Sequence, residues 1–94
     1  QRHAQAKSLM RTTIPVARRV FGEGDECTLS MRTNYAMALM NTGATLDDLR
    51  EAVATLEETA PIARRVLGSA HPLTSSMELS LQDARAALGA REAA

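Results

Sequence analysis

The chain has 94 residues, 45% of them apolar, which suits one small domain and argues against wholesale disorder. Its formal charge is balanced at 11 basic and 11 acidic residues, so it lacks the net positive footprint that phosphate binding needs, and no nucleic-acid partner is expected. No run of about 18 apolar residues occurs, so no segment is expected to span a membrane.

With only Phe21 and Tyr35 as aromatic residues and no tryptophan, a core has to be built from Leu, Val, Ile, Met and alanine, which lets helices approach closely. The first predicted helix covers residues 2–21, with Met10, Ile14, Ala17 and Phe21 along one face and Gly22 as its stop. It carries Arg2, Lys7, Arg11, Arg18 and Arg19 and no acid. Gly22-Glu23-Gly24 lacks the rest of a dinucleotide fingerprint and reads as a turn.

A second helix is predicted over 26–41, with Met31, Tyr35, Ala38 and Leu39 on one side. The third, 46–67, is the clearest: Leu46, Leu49, Val53, Leu56, Ala60, Ala63 and Leu67 alternate in steps of three and four. Thr45 with Asp48 makes a capping-box start, Asp47 and Asp48 suit the positive end of the helix dipole, and Gly68 is the natural stop. Pro72 opens a fourth helix, predicted over 72–88, with Leu73, Met77, Leu81, Ala84 and Leu88 on its face. Pro15 and Pro61 sit inside the two longer helices, where a missing N–H and a clash with the preceding turn predict a kink or break. The acids of 47–58 (Asp47, Asp48, Glu51, Glu57, Glu58) are expected to attract the basic first helix.

The chain repeats itself. Thr13-Ile14-Pro15-Val16-Ala17-Arg18-Arg19-Val20-Phe21-Gly22 returns 46 residues later as Thr59-Ala60-Pro61-Ile62-Ala63-Arg64-Arg65-Val66-Leu67-Gly68, with seven of the ten positions identical. The register continues without a gap through Thr28 and Thr74, Ser30 and Ser76, Met31 and Met77, and Ala38 and Ala84. A fixed period of this size marks units that each leave an apolar face for a neighbour to cover. The fold class that follows is all-α: about four helices forming stacked antiparallel helical hairpins, since the short links favour antiparallel neighbours. The repeat also argues against a targeting peptide in residues 1–22.

Arg64-Arg65-Val66-Leu67-Gly68-Ser69-Ala70-His71-Pro72-Leu73-Thr74 resembles the junction between repeats in kinesin-light-chain-type tetratricopeptide proteins. The earlier copy keeps Gly22, Thr28 and Leu29 but has Asp25-Glu26 for His-Pro. Asn34-Tyr35-Ala36 followed by Leu39 resembles the family's Asn-Leu-Ala segment, and Gly43 with Asp47, Asp48 and Ala52 its glycine turn and acidic helix start. The resemblance covers nearly the whole chain. The period departs from the basic unit of about 34 residues by roughly three helical turns, and fewer than the usual three units are present. The chain, which starts at Gln1, is therefore expected to be part of a longer array, leaning on further repeats or a partner.

No catalytic constellation is expected: His3 and His71 fall in different units, Cys27 has no histidine near it in sequence, and no phosphate loop or metal-ligand spacing occurs. No cofactor is expected either. His71 reads as a helix-start residue and Cys27 as a small packed one. A single cysteine cannot form an internal disulfide, which favours an intracellular location. Arg18-Arg19 and Arg64-Arg65 suit the negative end of a helix dipole, and would also serve to recognise an acidic partner.

The resemblance implies that the first helix of each pair lines a groove that takes an extended peptide. It points first to Asn34, whose carboxamide both donates and accepts, with Ser30, Met37 and Asn41 three or four residues away and Ser80 as the equivalent of Asn34 in the next unit. Asn34 reads equally as a solvent-facing or inter-helix hydrogen-bonding residue, and Met37 as core. The expected function is a non-enzymatic scaffold binding a protein or peptide partner. The alternatives are a structural part of a large assembly, or an adaptor for a catalytic domain outside these residues.

Overall fold

The computed structural model describes residues 2–41 and 43–94, with side chains from Ala4 onward. The side chains of Arg2 and His3, counted above among the basic and histidine residues, lie outside that set. Four helices account for nearly all of it: α1 (Arg2–Phe21), α2 (Glu26–Leu39), α3 (Leu46–Leu67) and α4 (Pro72–Ala93). Each packs on the next along the chain, and α2 also approaches α4. The molecule measures 38 × 28 × 16 Å, about one long helix in length and two helix layers thick.

Local chemistry fixes the boundaries. The Thr45 hydroxyl accepts from the Asp48 N–H at 3.0 Å while the Asp48 carboxylate accepts from the Thr45 N–H at 3.1 Å, completing the capping box of α3. The α2 and α4 caps occupy equivalent repeat positions with different residues. Asp25 accepts from the Cys27 N–H at 2.8 Å, and His71 Nδ1 from the Leu73 N–H at 3.1 Å. His71 is thus the helix-start residue the sequence suggests. Gly22 and Gly68 end α1 and α3 at φ of 95° and 94°, a left-handed conformation open to glycine without a Cβ penalty.

Three local expectations need correction. Both α1 and α3 run through their prolines as continuous helices, so of the expected kink or break the break does not occur. Each proline removes one ladder bond, but Ile14 and Ala17, and likewise Ala60 and Ala63, are buried on either side and hold both halves against the neighbouring helix. α2 ends at Leu39 and not at 41, while α4 continues past Leu88 to Ala93. Phe21, placed on the core stripe, is 55% exposed, whereas its counterpart Leu67 packs against the cluster of Leu29, Ala60, Ala63 and Met77, as does Leu73, the counterpart of the exposed Cys27.

Two clusters form the core. One joins Ile14, Tyr35, Leu39, Val53, Leu56 and Ala84 across all four helices, and the other holds Leu29, Ala60, Ala63 and Met77. The wide buried face of α2 includes Thr28, Arg32 and Thr33 among its apolar residues. The hydroxyls of Thr28 and Thr33 are spent on the backbone carbonyls of Ala17 and Leu29.

Candidate binding surface

Two ion networks tie α1, α2 and α3 together. Lys7 reaches Asp48 at 3.5 Å, and Arg11 reaches Glu51 at 3.1 Å, so the basic first helix does meet the acidic start of the third. Arg11 also donates to the Tyr35 hydroxyl at 2.8 Å, and that hydroxyl donates onward to Glu51. The Tyr35 hydroxyl is pushed up from its ordinary range, first by burial and then by the carboxylate it donates to.

Arg32, with its side chain 5% exposed, is held by Glu23 at 3.2 Å and by Glu58. Burial, then the neighbouring Arg18, lowers its basicity, which Glu23 opposes. Arg18 and Arg64, in the last turns of α1 and α3, pair with Glu23 at 3.0 Å and Glu78 at 2.9 Å.

Two of these carboxyls make stability depend on acid. Asp48 is held below the ordinary range first by the Thr45 N–H and then by Lys7, and Glu23 first by its hydrogen bond from Arg18. Both bind a proton less readily folded than unfolded, so their stabilisation is complete above the ordinary carboxylate range and disappears as pH falls through the lower folded values. The thermal midpoint, followed by circular dichroism, is expected to hold from neutral pH to about pH 5 and to fall below about pH 4. A midpoint that rises on acidification would contradict both assignments.

The residues singled out for peptide capture divide into three groups. Ser30, Asn34 and Met37 lie along the solvent side of α2, with Asn34 exposed, Met37 53% exposed and Ser30 half-buried. Among the described residues the Asn34 carboxamide has no hydrogen-bond partner. Asn41 lies beyond the end of α2 and is committed to the turn: its Nδ2 donates to the Ala38 carbonyl at 2.6 Å and its Oδ1 accepts from the Gly43 N–H at 2.8 Å. Ser80 is half-buried on α4 at the position equivalent to Asn34.

Cys27 is exposed and not packed, a correction to the sequence reading. Two residues past the Asp25 cap, it extends the row to 27, 30, 34 and 37, a spacing of three and four that was already present in the sequence. On α4 the equivalent of Met37 is the exposed Asp83, so the second row is more acidic.

Of the clefts away from this row, two lie between helices. One of about 340 Å³ runs between α3 and α4 past Pro61, Arg64 and Leu81. The other, about 180 Å³, sits among α1, α2 and α3 beside Pro15, Arg18 and Tyr35. Among the described residues no three His, Cys, Asp or Glu side chains converge as a metal would require, and no helix is long and apolar enough to cross a membrane.

Fold and surface define an all-α protein of four packed helices with an internally repeated sequence. No family model matches the chain, and no curated protein or solved structure matches it.

Proposed function

We propose that this chain is a non-enzymatic protein-interaction scaffold of the tetratricopeptide kind, a segment of a helical solenoid that works inside the cell and binds an extended peptide along α2. The observation that carries this reading is the Asn34 carboxamide, exposed in the middle of a helical row with Met37 one turn away. A carboxamide pairs with both the N–H and the C=O of a peptide bond, so one side chain registers a backbone without reading its sequence. Met37 adds an adaptable apolar contact beside it.

A peptide selected from a random displayed library against the intact chain provides the probe. Asn34→Ala is expected to weaken that peptide about tenfold, the value of one or two net hydrogen bonds, with unchanged helicity by circular dichroism. Equal affinity for both proteins would remove Asn34 from the site. Loss of binding in Met37→Ser as well would place the peptide on the same row.

A second reading, a structural part of a larger assembly, is favoured by a separate observation. Leu9, Val16 and Val20 of α1 are 67%, 43% and 68% exposed, and their spacing puts them on one side of the helix.

A further inference from the structure

The 46-residue repeat makes the molecule its own comparison: α3 is the second copy of α1, and α4 of α2. A residue buried in the first hairpin and bare at the equivalent place in the second is one that the second hairpin covers. Thr33 is 3% exposed and its counterpart Leu79 is 61% exposed. The same comparison run backwards identifies the side of α3 that rests on the first hairpin. Glu51 takes hydrogen bonds from Arg11 and Tyr35, and Thr55 lines their cleft. Val66 lies against Gly24, where an added Cβ would come within 3.0 Å of it. The counterparts on α1 are Gln5, Leu9 and Val20, with Val16 in the place of Ile62, and all four are exposed.

The receiving surface is duplicated as well. The smaller cleft, beside α1 and α2, is closed on one side by Glu51 and Thr55 of α3. Moved by 46 residues, its Pro15, Arg18 and Tyr35 become Pro61, Arg64 and Leu81, which line the larger cleft between α3 and α4. Its Arg11, Ile14 and Arg32 become Glu57, Ala60 and Glu78, which line that cleft too. The larger cleft is the same seat with no helix in it.

We propose that copies of this chain associate head to tail, α1 of one copy occupying the seat between α3 and α4 of the next as α3 occupies the seat on the first hairpin within a copy. The substitutions between the two seats keep them compatible. Where Thr55 shares a cleft with Tyr35, Leu9 shares one with Leu81 and Pro61. Where Glu51 accepts from Arg11, Gln5 donates to Glu57. Ser75, Gln82 and Arg85 stand where the first hairpin has Leu29, Ala36 and Leu39, so the outer seat is more polar than the inner one and the association is weak and reversible. Because the two surfaces differ, the contact is heterologous, and each dimer keeps one free α1 face and one free seat through which further copies add. This proposal uses faces separate from the Asn34 row and stands or falls independently of it.

Sedimentation velocity of the intact chain tests it, with Leu9→Glu blocking one face and Leu79→Glu the other; both positions are exposed, and circular dichroism checks that each variant keeps its helices. The mass of the unmodified chain is expected to rise with concentration up to about 1 mM, past the dimer. Each variant alone is expected to stay monomeric. An equimolar mixture is expected to form a 1:1 pair and stop there, because one intact face of each kind remains. A chain that stays monomeric throughout, a single variant that still pairs with itself, or a mixture that stays monomeric overturns the proposal.

Discussion

Leu56→Ala is expected to lower the stability of the chain by about 2–5 kcal/mol, a large part of the total available to a domain of this size. Leu56 is fully buried at the middle of α3, in the cluster that joins Tyr35 and Leu39 of α2 to Ala84 of α4. Truncating it removes apolar contacts from three helices together, and a slab only about two helix layers thick offers few further side chains to collapse into the gap. In urea, the unfolding midpoint should move down by roughly 1–3 M at the slopes usual for small domains. Leu9→Ala is the internal control: its side chain is 67% exposed, and dilute protein should lose no more than about 0.5 kcal/mol. If the two leucines respond alike, the packing of α3 on its neighbours is wrong.

The second large effect concerns the buried ion pair, and its sign depends on which partner is removed. Replacing Glu23 and Glu58 together by alanine strands the Arg32 guanidinium, whose side chain is 5% exposed, without a countercharge or acceptors. Because the two carboxylates are themselves 51% and 61% exposed, water reaches the site in their place. The expected loss is therefore about 1–3 kcal/mol and not the larger penalty of a fully enclosed pair. Arg32→Met keeps an apolar stem in the same space and releases the carboxylates to water, with Glu23 still 3.0 Å from Arg18. That change is expected to be within about 1 kcal/mol of neutral. Urea unfolding of both variants gives the ordering, and a methionine variant less stable than the double alanine variant would mean that the arginine contributes by packing and not by charge.

Much of this architecture is legible in the sequence. The steps of three and four in residues 46–67, the Thr45 and Asp48 capping box and the glycine stops need only local rules, because helix periodicity, caps and positive φ are set by neighbours in sequence. The 46-residue self-match made α1 the equivalent of α3, and Pro72 with its own apolar stripe located α4. The attraction between the basic first helix and the acidic third was likewise readable as composition, and appears as Lys7 to Asp48 and Arg11 to Glu51.

The face of α2 was not legible, because its buried side carries Thr28, Arg32 and Thr33, polar residues whose hydrogen bonds come from other helices or from the preceding turn. The same limit applies to the candidate site. Asn34, Ser30 and Met37 share a face by spacing alone, but whether Cys27 is packed and whether Asn41 is free depend on where α2 starts and stops against its neighbours. The sequence by itself determined four helices, the starts of α3 and α4, the glycine stops and the 46-residue duplication. Only the tertiary structure decided which side chains are covered: Thr33 and Leu79 hold equivalent positions yet are 3% and 61% exposed, in keeping with α2 packing on both α1 and α3 while α4 packs mainly on α3 alone.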